Sequence, residues 1–267
     1  MPPSEPQILV TNDDGIRAPG LLALKKAFDA VGNVTVVAPS HNWSASGHVK
    51  TMHKPLRVEE VTLADGTPAL STSGAPSDAV ALALLGLVDQ SIDMVVSGVN
   101  HGANLGHDVT YSGTVTAAME ATIADVPAIA VSLNTREQAD FRPAARFAAY
   151  LASLTLERGL PEGVLLNVNV PPLPADEIAG VRVTRMGLRI YRDELVRRLD
   201  PRGKPYYWIG GPAPTGVEEQ GTDIWAVANH YISVTPIQLD LTAHKQIDSL
   251  DDWVLRAEVL LDREEGA

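Results

Sequence analysis

The chain has 267 residues, 45% of them apolar, enough for one large α/β domain or a domain carrying a substantial extension. It contains no cysteine, which excludes disulfides, thiolate zinc sites and cysteine nucleophiles, so any metal must be held by oxygen or imidazole. A net charge of −12, from 33 acids against 21 bases, argues against stable nucleic-acid binding, which relies on Lys and Arg neutralising phosphates.

Met1 to Pro6 carries neither the basic nor the apolar region of a signal peptide. No stretch approaches the roughly 18 uninterrupted apolar residues of a membrane span, so a cytoplasmic protein without membrane contact is expected. Ile8 to Val10 reads as a buried strand that runs through Thr11 into Asn12-Asp13-Asp14-Gly15. The carboxyl end of such a strand is where open α/β sheets place ligands. Two carboxylates there raise one another's pKa, and a divalent cation would leave both ionised. The competing reading is an ordinary turn built by Asn12, Asp13 and Gly15.

Pro19 suits the first turn of a helix whose apolar face is Leu21, Leu22, Leu24, Ala27 and Phe28. Val34 to Ala38 is a second buried strand, and the loop from Ser40 to Gly47 carries Asn42, Ser44 and Ser46. Arg57 to Val61 and Pro68 to Ser71, linked through Asp65-Gly66, look like a hairpin appended to the sheet. A helix follows to about Leu87, with Ser77 as its N-cap. Ile92 to Val96 is a third buried strand, and Ser97 to Gly106 a loop rich in glycine and asparagine. Ser112-Gly113-Thr114 opens a helix through Val115, Ala118, Met119 and Ile123. Ala128 to Val131 (strand), Phe141 to Leu154 (helix) and Leu165 to Val170 (strand) complete an alternation that predicts a doubly wound, mostly parallel sheet over residues 1–180. Residues 181–267 read as an extension. It has strand-like Val181 to Thr184, Tyr206 to Ile209 and Ile232 to Pro236, a turn at Asp200-Pro201-Arg202-Gly203, and a terminal helix from Trp253 to Leu261. Projecting hairpins of this kind commonly serve subunit contacts.

In a parallel sheet the loops Asn12 to Asp14, Asn42 to Ser46 and Gly98 to Gly106 should converge on one edge. Two carboxylates, a hydroxyl and an amide form a hard oxygen set suited to one magnesium or manganese ion. The helix opening at Ser112-Gly113-Thr114 is either a phosphate seat or a plain Ser N-cap. His101 is a candidate acid or phosphate contact, against a supporting role. Trp43 and Tyr111 are candidates to stack on a nucleobase, against simple packing. Neither G-x-G-x-x-G nor G-x-x-x-x-G-K-[ST] is present.

Together these segments resemble the stationary-phase survival protein SurE family of metal-dependent nucleotidases. The resemblance rests on Val10 to Gly20, Val36 to Pro39 with Ser44, Val96 to Gly106 and Tyr111 to Val115. Later segments join it: Arg182 to Arg185, Asp200 to Gly203, Tyr207 to Gly210, Gly221 to Asp223, Ser233 to Pro236 and Leu239 to Thr242. It implies a Rossmann-like core, release of phosphate from nucleoside monophosphates as a 5′/3′-nucleotidase, and one divalent metal ion per subunit. It also implies a homodimer or homotetramer in which the carboxyl-terminal portion is exchanged or packed between subunits. By position the metal ligands would be Asp13, Asp14, Ser44 and Asn100. Asn12, Asn104, Ser112, Gly113 and Thr114 would lie at the phosphate, with Asp13, Asp14 and Asn104 catalytic. Two positions depart from the family's pattern: Ala75 stands where Thr is usual, and Trp43 where a basic or polar residue is common.

The rival from another class is a non-catalytic, metal-dependent nucleotide sensor, which predicts binding without phosphate release. A glycosidase using Asp13 and Asp14 as acid and base is disfavoured, because adjacent residues on an extended segment point to opposite sides. A haloacid-dehalogenase-type phosphatase would want Asp-x-Asp after the first strand.

Overall fold

A computed structural model describes residues 5–135 and 137–254, in two units, Met1–Ile237 and Gln238–Ala267. In chain order the strands are β1 (Gln7–Thr11), β2 (Asn33–Pro39), β3 (Val58–Thr62), β4 (Pro68–Thr72), β5 (Met94–His101), β6 (Ala128–Leu133) and β7 (Val164–Val170). They continue as β8 (Gly180–Val183), β9 (Arg189–Ile190), β10 (Glu194–Leu199), β11 (Pro205–Gly210), β12 (Thr215–Gly216) and β13 (Tyr231–Gln238). Nine of them form one sheet in the order β3-β4-β2-β1-β5-β6-β7-β13-β8. β1 pairs in parallel with β2 and β5, β5 with β6, β6 with β7, β2 with β4 and β13 with β8, whereas β3 is antiparallel to β4.

Ile8, Leu9 and Val10 are all fully buried, the continuous apolar run of a strand covered on both faces. One covering pair is α1 (Pro19–Phe28) with α4 (Arg142–Arg158), the other α2 (Pro76–Leu82) with α3 (Gly113–Ile123). Alternate strand residues Ile8, Val10, Met94, Val96, Ile129 and Val131 pack with Leu21, Leu24 and Phe28 of α1 and with small residues of α4. Ala144, Ala148 and Ala152 keep that face of α4 slim, so the helix lies close on the sheet. The doubly wound, mostly parallel architecture is thus present, and β1 sits where the chain departs to either side, the crevice at which such sheets bind ligands.

Several boundaries differ from the expectations. The segment Ser97 to His101, expected as loop, continues β5 with a register shift between Ser97 and Asn100. Gly98 allows this bulge, because a Cβ there would stand 2.3 Å from the Val131 carbonyl oxygen. Ser77 is not an N-cap: α2 starts at Pro76, the Asp78 carboxylate accepts from the Ala75 N–H at 2.9 Å, and the Ser77 hydroxyl donates to the Val49 carbonyl. The expected boundary at residue 180 falls inside the sheet, since β8 and β13 both belong to it. The turn at Asp200 to Gly203 joins β10 to β11, with Asp200 Oδ1 accepting from the Arg202 and Lys204 N–H groups at 2.8 Å. Glu194–Leu199 gave no strand signal because its two faces are both largely exposed, leaving no hydrophobic alternation to read. A short helix, α5 (Asp223–Ala228), precedes β13. In the second unit α6 spans Ile247–Val254, and the remainder of the expected terminal helix, 255–261, lies outside the described residues. Among the described residues no helix is long and apolar enough to cross a membrane.

Candidate functional site

The turn after β1 is closed by its own asparagine. Asn12 Nδ2 donates to the Gly15 carbonyl at 3.0 Å, and the Gly15 N–H donates to Asn12 Oδ1 at 3.2 Å. Gly15 adopts φ +100°, and any Cβ there would press on the His41 backbone at 3.2 Å. With the backbone so fixed, Asp13 and Asp14 sit side by side in the turn and find different hydrogen-bond partners, Thr114 for the first and the His101 N–H and Asn42 for the second.

Asp13 turns toward α3 and is 3% exposed. Its carboxylate accepts from the Thr114 hydroxyl, and its carbonyl accepts from the Trp43 N–H at 2.8 Å. Gly113 lets the start of α3 approach this closely, because a Cβ there would lie 2.8 Å from the Asp13 Cβ. Burial pushes the Asp13 carboxyl up to about 6, opposed by the Thr114 hydrogen bond and reinforced by the charge of Asp14. Ser112 is the N-cap of α3, its Oγ accepting from the Val115 N–H at 3.1 Å. Of the three residues opening that helix, Thr114 therefore serves Asp13 and Ser112 serves the helix, while Gly113 provides the close approach.

Asp14 is half-buried and accepts from the His101 N–H at 3.0 Å and from Asn42 Nδ2 at 3.2 Å. Asn42 also accepts from the Ser44 N–H at 2.7 Å, so one side chain links the Ser44 loop to Asp14. The amide nitrogen of Asn100 donates to the Gly102 carbonyl at 2.8 Å. Asn104 lies deeper. Its Nδ2 donates to Ser132 Oγ at 2.8 Å, its backbone exchanges hydrogen bonds with the Asn169 amide, and its carbonyl accepts also from Asn167 Nδ2 at 2.9 Å. Trp43 stacks on His41 at 5.2 Å, and the His101 Nε2 donates to the Glu137 carbonyl at 2.8 Å.

The donor set fits a divalent cation. A buried carboxylate whose charge is opposed by burial and by a second carboxylate is the arrangement a cation relieves. Among the described residues no three His, Cys, Asp or Glu side chains group to hold a metal, so a cation at this carboxylate pair would draw its remaining ligands from neutral oxygens.

Other supporting residues carried no sequence signal because their partners are remote. Glu120 of α3 accepts from His48 Nε2 at 2.9 Å and from Lys50 Nζ at 2.8 Å, pinning the exit of the Ser44 loop to the helix. The His48 hydrogen bond, then that of Lys50, holds the Glu120 carboxyl below its ordinary value. A depressed carboxyl contributes stability above its unfolded pKa and loses it as pH falls through the folded one. Glu120→Gln should therefore lower stability at pH 7 by about 1 kcal/mol, discounted for the exposure of Lys50. The difference should vanish once acid protonates the carboxylate. Urea midpoints at both pH values check this; equal differences would remove charge from the account.

The model of the survival protein SurE family matches residues 8–193. A protein named 5′-nucleotidase SurE from Herpetosiphon aurantiacus is 54% identical over 251 residues, covering 93% of this chain and 96% of its own. One of the same name from Chloroflexus aggregans is 52% identical over 248 residues, covering 92% and 98%. Among solved structures, the SurE protein from Aquifex aeolicus matches with a TM-score of 0.79 at 40% identity, over 93% of this chain and 99% of that one.

Proposed function

This chain belongs to the survival protein SurE family, and from that premise we propose how its residues carry out the reaction of a metal-dependent nucleotidase, a hydrolase of phosphate monoesters. The observation that carries the site assignment is the buried Asp13 beside Asp14, held against the start of α3.

Asp13 and Asp14 are the anionic ligands of one divalent ion, magnesium or manganese, with Ser44 Oγ and Asn100 Oδ1 as its neutral ligands. The hydrogen bond from Asn100 Nδ2 to Gly102 supports this, because it fixes the amide and leaves its oxygen for a cation. A cation of this kind supplies Lewis acidity toward a phosphoryl oxygen and lowers the pKa of water. Thr114 and the His101 N–H hold the two carboxylates in place. The N–H groups of Gly113 and Thr114, at the positive end of the α3 dipole, face the charge that develops on the phosphoryl oxygens. Asn104 contributes from its network with Ser132, Asn167 and Asn169, and Asn12 and Ser112 shape the phosphate seat through the turn and the helix cap. In the reaction the oxygen of water bonds to phosphorus as the ester P–O bond breaks. The alcohol leaves with a proton from that water, giving nucleoside and inorganic phosphate.

The test is phosphate release from a panel of nucleoside 5′- and 3′-monophosphates with manganese, magnesium or EDTA. Release that requires the metal is expected; nucleotide binding without release would leave a sensor instead.

We also propose a cytoplasmic homodimer or homotetramer. The β10–β11 hairpin supports it, exposing Trp208 at 62% and Ile209 at 81%, an apolar surface suited to a second copy. A monomer by sedimentation would sink this reading.

A further inference from the structure

Ser44 sits in a short bridge of chain between two anchored points. The Trp43 N–H donates to the Asp13 carbonyl at 2.8 Å and the Gly47 N–H to the Tyr111 carbonyl at 3.0 Å, leaving Ser44, Ala45 and Ser46 to span the gap. We propose that Asp78, in α2, is a positioning residue for the reaction: by gripping Thr51 it locks the outgoing strap of this loop and so fixes where the Ser44 hydroxyl stands. The inference rests on the reading of Ser44 as a ligand of the cation and extends it to the residue that holds that ligand in place.

The strap runs from Gly47 to Thr51, and each of its residues is held. The Gly47 carbonyl accepts from the Thr116 hydroxyl at 3.1 Å, His48 and Lys50 reach Glu120, and the Val49 carbonyl accepts from the Ser77 hydroxyl. Thr51 is the last held residue: its N–H donates to Asp78 Oδ1 at 2.8 Å and its hydroxyl to Oδ2 at 2.7 Å. Past Thr51 the chain turns to solvent, with residues 52–55 exposed and Met52 at 84%. Local opening starts where contacts are fewest, so the strap would peel from this end, and Asp78 closes it.

Burial ranks the anchors. The Glu120 pairs use side chains that water reaches, Lys50 at 56% and His48 at 31% exposure, so solvent competes for them. Asp78 is 2% exposed, and a carboxylate accepting an N–H and a hydroxyl away from water makes the stronger kind of hydrogen bond. The carboxylate is itself fixed: Oδ2 also accepts from the Ala75 N–H at 2.9 Å, and Gly74 leaves it room, since a Cβ there would stand 2.7 Å from the Asp78 Cβ. Capping α2 needs only the bond to Ala75, so the two bonds to Thr51 are surplus to that role. The same turn of α2 backs the start of α3, where a Cβ on Gly113 would lie 3.2 Å from Pro76 Cγ. One helix turn thus places the strap behind Ser44 and the helix start that faces Asp13 in a single frame.

The test is calorimetric titration of manganese into the full, metal-free chain, with no substrate present. The proteins are wild type, Thr51→Val, which keeps the shape and the N–H but removes the hydroxyl, Thr51→Ser, which restores it, Ser44→Ala, and the double variant Thr51→Val with Ser44→Ala. Thermal melts confirm that each is folded. Thr51→Val should weaken manganese by about fivefold, the scale of one hydrogen bond, and Thr51→Ser should return it to within about twofold of wild type. Ser44→Ala should weaken it at least as much, and the double variant by no more than about twofold beyond Ser44→Ala, because a displaced ligand and a missing one are the same loss. Amide exchange at Gly47 to Thr51 should quicken in Thr51→Val while exchange in β1 stays as in wild type. A lower Tm with unchanged manganese affinity in Thr51→Val, or additive weakening in the double variant, would make Asp78 a structural cap and overturn the proposal. Wild-type affinity in Ser44→Ala would instead reject Ser44 as a ligand, and with it the route from Asp78 to the metal.

Discussion

Asp13→Asn is expected to lower phosphate release by a factor on the order of 10³ while leaving the metal-free fold at least as stable as wild type. The first part follows from the chemistry of the pair. Lewis-acid stabilisation of a phosphoryl transition state is worth several kcal/mol, and each ~1.4 kcal/mol is a factor of ten in rate. The second part follows from burial. The Asp13 carboxyl is raised from 3.8 to about 6, so at pH 7 it is ionised in the fold against an opposing environment. A raised carboxyl costs stability above its folded pKa and regains it as pH falls toward the unfolded value. The separation corresponds to up to about 3 kcal/mol at pH 7. An amide of the same shape removes that cost and can still accept the Thr114 hydroxyl. Asp14→Asn should lose activity on the same scale, but it exchanges one of two acceptors serving His101 N–H and Asn42 for a donor, so its apo stability should fall by about 1 kcal/mol. Near wild-type turnover of either variant in saturating manganese would remove that residue from the ligand set. A steep fall in the apo Tm of Asp13→Asn would make the carboxylate a structural group.

Local patterns were legible in the sequence, and remote pairings were not. The β1 strand and the acids after it are contiguous, so apolar run, turn and carboxylates could be read from eight residues. Gly113 could be flagged as flexible, yet the reason it must be glycine is Asp13, one hundred residues earlier. By sequence Asn42 is one more oxygen-bearing loop residue, and only the fold brings its amide to Asp14 across 28 positions. Glycines at 98 and 102 suggested a loop, but Gly98 makes a bulge inside β5, because a strand can continue past a residue that must approach Val131 without a side chain. Asn104 read as a phosphate contact. Its partners are Ser132 in β6 and Asn167 and Asn169 in β7, and buried polar residues within mainly apolar strands do not announce what they bind.

Asp223 is the most consequential of these remote partners. The side chain is fully buried and gathers three backbone donors: the Gly106 N–H to Oδ2 at 2.7 Å, and the Gly187 and Ile224 N–H groups to Oδ1 at 2.7 and 2.8 Å. The first two come from 117 and 36 residues away, so one carboxylate ties the loop after β5 to two segments of the later chain. The approach is close enough that a Cβ on Gly106 would stand 2.4 Å from the Gly187 carbonyl oxygen. Replacing Asp223 with Ala leaves these buried N–H groups without an acceptor, and a buried donor left unpaired costs about 1–3 kcal/mol. Since water enters part of the vacated space, Asp223→Ala is expected to destabilise the protein by about 3–5 kcal/mol, a large fraction of the total stability of a domain. Asp223→Asn keeps the volume but turns one acceptor into a donor facing an N–H group, so it should lose about half as much. Urea denaturation gives both numbers, and amide exchange at Gly106 and Gly187 should quicken more than exchange in β1. Because the loop that ends at Gly106 carries Asn104 and follows directly on Asn100 near the end of β5, the Asn variant should show reduced turnover at temperatures where it remains folded. A shift of under 1 kcal/mol for Asp223→Ala would mean that water or a rearranged backbone satisfies the three donors and that the carboxylate does not hold the loop.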